Sequence, residues 1–178
     1  MKSLLSLILI VCLTLCGIYY YFGGFEELEI SKSSRGFMIV YQQIDQEDTR
    51  LNYLLDNLAS YLEREKNITT DISFEYSGTI TSSKKKVRLT GFIIKNQFIK
   101  GKLRKDIKMK TLVRTKCVSG KFPYKNNLSE LIFDYAKRSE FEEYLDLQNI
   151  IPSQILKITD KKNQIIELIV PEKEWKIQ

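Results

Sequence analysis

The side chains that could carry out chemistry in this 178-residue chain are carboxylates, tyrosines and Cys117, the single thiol outside an N-terminal apolar run. The sequence has no histidine, which excludes Ser-His-Asp and Cys-His catalysis, zinc sites with histidine ligands and proton shuttling by imidazole. It also has no glycine-rich phosphate loop, no Cys-x-x-Cys pair and no calcium-loop pattern. We therefore expect a binding role rather than an enzymatic one, with no cofactor and no metal.

Basic residues are concentrated in the middle of the chain. Between Lys84 and Lys125 there are fifteen lysines and arginines and one acid, Asp106, whereas the net charge of the whole chain is +6. In the segment 107–118, apolar residues alternate with basic ones as in a half-buried strand. The basic residues of this segment are Lys108, Lys110, Arg114 and Lys116.

We expect these four basic side chains to share the uncovered face of a sheet and to attract anions. The anion would be a small molecule or a lipid headgroup, the latter with up to about 1 kcal/mol per basic residue near a membrane. The alternative is a solvated edge strand, on which lysines prevent aggregation. No base-reading motif accompanies the lysines, so nucleic acid is not expected as a partner.

The apolar pattern predicts the same order of elements twice. In the first half it predicts a strand at 35–44, a helix at 51–66 and strands at 72–77 and 86–94. In the second half it predicts a strand at 107–118, a loop at 120–126, a helix at 128–147 that breaks near Arg138, and strands at 154–159 and 164–170. Two strand–helix–strand–strand units predict an α+β fold, an antiparallel sheet with both helices on one face and the other face open.

The N-terminal run 3–24 has no charge between Lys2 and Glu26, and as a helix it would be about 33 Å long, enough to cross a bilayer. Tyrosines at its end are typical of the lipid–water interface and favour an uncleaved single-pass anchor at 1–24. A cleaved signal peptide and a lipoprotein anchored at Cys16 are the alternatives, although neither cleavage site is well formed. Basic residues on the two sides are nearly balanced, so the side of the membrane that carries the domain stays open.

The rest of the chain is one domain's worth of sequence. We predict a juxtamembrane linker at 25–34, a folded domain at 35–172 and a short tail at 173–178. The two halves of the domain are expected at about 35–100 and 105–172.

Two motifs of the second half resemble a known family. Gly120-Lys-Phe-Pro-Tyr124 opens the predicted helix, and Ile166-Glu-Leu-Ile-Val-Pro171 closes the domain. Together with the duplicated unit they resemble the GyrI-like domain, the ligand-binding module of gyrase-inhibitory proteins and of multidrug-sensing transcription regulators. With the anchor added, the layout is similar to that of an endoplasmic-reticulum autophagy receptor with a cytosolic domain.

The resemblance implies site residues. In the family's drug sensors a glutamate of the last strand lies in the ligand cleft, and in related hydrolases it serves the chemistry beside tyrosines. Strand alternation places Glu167 on the open face if Ile166 and Leu168 face the helices. Tyr124 matches the family's tyrosine at the cleft mouth, and Tyr41 lies on the first strand; either ring could stack on a ligand or fill the core. The alternative for Glu167 is a surface ion pair with a lysine.

We thus expect a membrane-anchored, non-enzymatic protein that binds an anionic small molecule, a lipid headgroup or a protein partner. The usual cationic ligands of drug sensors are disfavoured because the lysines would repel them. One alternative is a hydrolase that uses Glu167 and Tyr124. Another is an organelle-turnover receptor that uses the aromatic-x-x-aliphatic motif Phe25-Glu-Glu-Leu28.

Overall fold

The order of elements repeats along the chain. The computed structural model describes residues 2–44, 50–80, 85–94 and 101–175. Its elements are α1 (Lys2–Tyr21), β1 (Glu29–Ile44), α2 (Leu51–Lys66), β2 (Ile72–Ile80), β3 (Lys85–Ile94), β4 (Lys108–Pro123), α3 (Asn127–Ile132), a π-helical turn (Phe133–Lys137), α4 (Arg138–Leu147), β5 (Gln154–Asp160) and β6 (Ile165–Pro171). The predicted α+β class and the duplicated strand–helix–strand–strand order are confirmed.

The six strands form one antiparallel sheet that closes into a barrel in the order β1-β3-β2-β5-β6-β4. Closure results from β1 and β4, which are 16 residues long and pair with each other along most of their length. The prediction of a sheet with an open front face is therefore wrong. That face is the interior of the barrel, and apolar side chains from all six strands fill it.

The helices lie on the outside of the barrel, each over its own half. Helix α2 buries Leu58 and Leu62 against Val40 and Phe92. The helical segment 127–147 buries a second cluster that includes Phe133, Phe141, Leu145, Val118 and Leu168. Both helical units thus cover the same surface of the sheet, as predicted.

Several boundaries differ from the prediction. Strand β1 begins at Glu29, inside the segment predicted as a linker, because Glu29–Arg35 pairs with β4. Strand β4 continues to Pro123, through most of the predicted loop, because its end pairs with β6. The irregularity predicted near Arg138 is the π-helical turn just before it, and the helix continues through this turn.

Helix α1 precedes the barrel, and its apolar side chains are exposed. In the part of the chain that the structure describes, Leu4–Tyr21 is the one helix with the length and composition to cross a membrane. A signal sequence near an N-terminus has the same properties, so the alternatives for this segment stay open.

Candidate functional site

A cleft of about 650 Å³ opens at the end of the barrel where β3 and β5 end and β2 and β6 begin. Its charged lining residues are Arg35, Lys121, Asp160 and Glu167. Its apolar lining residues are Phe37, Met38, Ile72, Ile93, Ile94, Ile158 and Ile165. A few convergent charges within apolar walls are typical of sites for small organic ligands, and this volume is in their usual range of about 300–1,000 Å³.

Glu167 lies in the floor of this cleft. Its neighbours Ile166 and Leu168 belong to the cluster under the helices, so strand alternation directs Glu167 away from the helices, as predicted. That side is the barrel interior and not the open face that was predicted. Nη1 of Arg35 on β1 donates to Oε2 of Glu167 at 3.2 Å, and Nη2 lies 3.1 Å from Oε1, within ion-pair distance. The first contact is the hydrogen bond of the pair, because Oε1 is buried without a hydrogen-bond partner in the described part of the chain. The alternative of a surface ion pair with a lysine does not occur, because the partner of Glu167 is an arginine inside the cleft.

The charged groups of the cleft differ in their access to a ligand. The side chain of Glu167 is 8% exposed, whereas those of Arg35 and Lys121 are 31% and 29% exposed. The carboxylate of Asp160 accepts hydrogen bonds from the backbone N and the Nδ2 of Asn163, at 2.9 Å and 2.7 Å. A ligand could therefore reach the positive charges of Arg35 and Lys121 and the negative charge of Asp160, whereas Glu167 is nearly buried.

Gly36 allows the close approach of strands that positions Arg35. Arg35 lies opposite Thr115 and Phe37 lies opposite Leu112, so β4 has an extra residue at this point. This is a β-bulge, a common device beside binding sites. A Cβ atom on Gly36 would lie 2.9 Å from the backbone N of Arg114 and 3.0 Å from the carbonyl oxygen of Leu112. Both contacts are with backbone, so a larger residue would displace β4.

The bulge also reverses the alternation of β4. Leu112 and Cys117 both lie in the inner cluster although they are five residues apart. Lys110 lies opposite Ile39 and so on the inner side, whereas Lys116 precedes Cys117 and points to the other side. The prediction that the basic residues share one face is therefore wrong for the set Lys108, Lys110, Arg114 and Lys116. Their contact with an anionic partner stays a prediction.

The two tyrosines predicted at the site do not line the cleft. Tyr41 is buried in the inner cluster, and this burial raises the pKa of its hydroxyl. Tyr124 packs outside the barrel, where its hydroxyl donates to Oδ1 of Asn127 at 3.4 Å. Burial, and secondarily the charge of Glu130, raise the pKa of Tyr124. The structure thus separates Tyr124 from Glu167.

Sequence reasoning missed Arg35 and Trp175. Arg35, Phe37 and Ile39 are two residues apart along β1 and so lie on the same side of the strand. This spacing was the signal that could have predicted an inward-pointing arginine. Trp175 falls in the predicted tail, yet it is 1% exposed and its ring meets that of Phe37 edge-on, with centroids 6.3 Å apart. Its backbone N donates to Oε1 of Gln154 at 2.7 Å, which holds the C-terminal segment against the barrel.

Two buried donors in the barrel have no partner in the described part of the chain: the hydroxyl of Tyr76 and Nε1 of Trp175. Burial, with a smaller contribution from the charge of Glu174, raises the pKa of Tyr76 to about 12. Among the described residues, no group of three histidine, cysteine, aspartate or glutamate side chains could hold a metal ion.

No protein-family model and no curated protein matches this sequence. The similarity to an endoplasmic-reticulum autophagy receptor is therefore unsupported.

Solved structures do show a similar fold. The chain is similar to EcmrR in a cryo-EM structure of the EcmrR–DNA complex, with a TM-score of 0.56, 10% identity and coverage of 95% of this chain and 68% of that one. It is also similar to the crystal structure of the EcmrR C-terminal domain, with a TM-score of 0.53, 10% identity and coverage of 85% and 98%. At this identity the likeness shows the fold alone.

Proposed function

We propose that this chain is a small-molecule-binding protein, and that its ligand lies in the Glu167 cleft with an apolar body and an anionic group. The observation that carries the proposal is the Arg35–Glu167 pair in the floor of an apolar cleft, with the arginine more exposed than the glutamate. In this proposal Glu167 holds the guanidinium in place, and the guanidinium meets the ligand.

Arg35 has donors left for such a ligand. A guanidinium carries five N–H donors. In Arg35 the Nε donates to Oγ of Ser33 at 3.1 Å, and one N–H of Nη1 donates to Oε2 of Glu167. The remaining N–H groups of the two terminal nitrogens suit a carboxylate, sulfonate or phosphate. Lys121, whose Nζ lies 3.9 Å from the carboxylate of Glu29, adds a second positive charge. The apolar walls would contribute about 25 cal/mol for each Å² of ligand surface removed from water.

We also propose that α1 anchors this binding domain to a membrane and that the domain is not an enzyme. The hydrolase alternative requires Glu167 and Tyr124 at one reacting centre, whereas Tyr124 packs outside the barrel and Glu167 pairs with Arg35 inside it. The receptor alternative requires Phe25-Glu-Glu-Leu28 as an accessible peptide, whereas Leu28 is buried under the helical segment. These arrangements favour binding over the two alternatives.

The test uses the full chain in a non-ionic detergent and a matched pair of probes, naphthalene-2-sulfonate and 2-naphthylmethylammonium. A ligand that binds only the folded state raises the melting temperature. We expect the sulfonate to raise it and the ammonium probe to leave it unchanged, as followed by circular dichroism. Equal shifts with both probes would contradict the proposed ligand chemistry.

A variant pair locates the binding. Lys121→Gln removes a positive charge from the cleft, and Lys116→Gln removes one from the opposite side of the sheet. We expect the affinity for the sulfonate to fall about tenfold in the first, equivalent to about 1.4 kcal/mol, and to stay within twofold in the second. The double variant Arg35→Met/Glu167→Leu should lose binding while keeping the barrel, because it removes both charges of the pair. Unchanged binding in this variant would place the ligand elsewhere.

A further inference from the structure

A second groove, of about 600 Å³, lies on the outside of the barrel between α2 and α3. Its floor is the outer surface of the neighbouring strands β2 and β5, represented by Ser73, Glu75, Lys157 and Thr159. Equivalent elements of the two halves thus form its two sides. Each helical unit covers its own apolar cluster, and the strip of sheet between them is left without a helix.

The charge of this groove is opposite to that of the chain. Its lining has two basic residues, Lys157 and Lys161, and five acidic ones, which are Asp56, Asp71, Glu75, Glu130 and Asp134. The chain as a whole has a net charge of +6. This reversal concentrates negative potential between the helices, and such a region attracts a positively charged partner.

Part of this negative charge is not compensated within the groove. Lys157 pairs with Asp134 at 2.7 Å, and the hydroxyl of Thr159 donates to Glu130 at 2.7 Å. Asp56 on α2 and Asp71 before β2 make no ion pair with a described residue. The hydrogen bond from Thr159 leaves the charge of Glu130 in place. Glu75 on β2 pairs with Arg88 at 3.1 Å. The acids without an opposite charge are therefore Asp56 on α2, Asp71 before β2 and Glu130 on α3, and they lie on both sides of the groove.

The walls between these acids are apolar. Leu55 and Ala59 of α2 line one side, and Leu131 of α3 lines the other. Leu131 is 52% exposed, and Phe92 lies at the base. An apolar strip flanked by acids on both sides complements a segment with one apolar face and basic flanks.

We propose that this groove binds a basic amphipathic helix of a partner protein. A helix that lies between α2 and α3 would cover the bare strip of β2 and β5 and would continue the helical layer on this side of the barrel. Its apolar face would contact Leu55 and Leu131, and its lysines or arginines would meet Asp56 and Asp71. This is the helix-in-groove mode of recognition. The groove lies on the opposite side of the sheet from the Glu167 cleft, so the proposal does not rest on the proposed function.

The binding test uses the full chain in a non-ionic detergent and a fluorescent 18-residue peptide of leucine and lysine with helical amphipathic spacing. Fluorescence anisotropy measures its affinity, and a leucine–glutamate peptide of the same pattern is the counter-probe. We expect the basic peptide to bind, and its affinity to fall at least tenfold in 0.5 M salt. We expect no binding of the acidic peptide. Absence of binding by the basic peptide, or equal binding of both peptides, would overturn the proposal.

Charge-matched variants locate the peptide. Asp56→Asn/Asp71→Asn changes the groove, and Glu143→Asn/Asp146→Asn makes the same charge change on exposed positions of α4. We expect at least a tenfold loss of affinity in the first variant and less than a twofold change in the second. Ala59→Trp fills the groove without any change of charge and should also weaken binding at least tenfold. Equal losses in the groove and control variants would show non-specific attraction and overturn the proposal.

The groove could also bind a second copy of this chain. Analytical ultracentrifugation of the same proteins tests this by measuring whether they self-associate. Self-association of the full chain that is lost in the two groove variants but kept in the α4 variant would show that a second copy of the chain occupies the groove. The partner-helix proposal would then be wrong. A monodisperse full chain that binds the basic peptide supports it.

Discussion

Arg35 and Glu167 differ in their exposure to solvent, and this difference decides what each substitution does. Arg35→Met would leave a buried carboxylate without its partner, which typically costs about 1–3 kcal/mol. Glu167→Leu removes the buried charge and should cost less, and the double variant Arg35→Met/Glu167→Leu should be more stable than Arg35→Met alone. Chemical denaturation at pH 7 of the parent, the two single variants and the double variant gives the interaction free energy of the pair as a double-mutant cycle. Additive losses would show that the two side chains do not interact.

Ionisation of the buried Tyr76 makes the stability of the barrel depend on pH. Its pKa is about 12 in the folded protein and about 10 in the unfolded chain, so above pH 10 the unfolded state loses this proton first. The contribution of Tyr76 to stability is therefore complete below pH 10 and is lost as the pH rises from about 10 to about 12, by up to about 2–3 kcal/mol.

Tyr76→Phe should remove this part of the alkaline loss, whereas the parts due to Tyr41 and Tyr124, whose pKa values are also raised by burial, should remain. At pH 7 the variant should be as stable as the parent or up to about 1 kcal/mol more stable, because the hydroxyl is buried without a partner in the described residues. Thermal melts between pH 7 and pH 11.5 compare the two proteins. A large loss of stability in the variant at pH 7 would indicate a hydrogen-bond partner for the hydroxyl.

At the scale of elements, the bulge between β1 and β4 positions the cleft. Gly36→Ala places a methyl group against two backbone atoms of β4, which should destabilise the protein by about 1–3 kcal/mol and weaken binding of the sulfonate probe. Gly17→Ala is the control, because nothing lies within 4 Å of its added Cβ. Equal stability of these two variants would mean that β4 shifts freely, and that the bulge does not fix Arg35.

The same bulge marks the limit of sequence reasoning. Apolar periodicity predicted α2, the helical segment 127–147 and the order of all six strands, since these signals are local. Alternation also predicted that Glu167 points away from the helices. The inserted residue in β4 could not be inferred from its own alternation, because it depends on the partner strand. One extra residue then moved Lys116 to the opposite side from Lys110.

At the scale of the whole molecule, closure of the barrel was the main feature that the sequence pattern did not predict. It depends on the pairing of Glu29–Arg35 with residues 80 or more positions away in β4. The polar composition of this part of β1 is typical of a linker. It forms a strand because it pairs with β4. Closure replaces the predicted flat basic surface by an apolar interior with a charged cleft at one end.

Trp175 completes this interior from the C-terminal end of the chain, so its loss should affect the whole barrel. Trp175→Ala should cost about 3–5 kcal/mol of stability, the usual loss for a fully buried tryptophan. Trp175→Phe should cost much less, since it keeps most of the ring volume and Nε1 has no partner among the described residues. Because Trp175 is the single tryptophan and contacts Phe37 in the cleft wall, its fluorescence also reports on the cleft. If the sulfonate raises the melting temperature but leaves the tryptophan emission unchanged, the ligand lies away from Phe37.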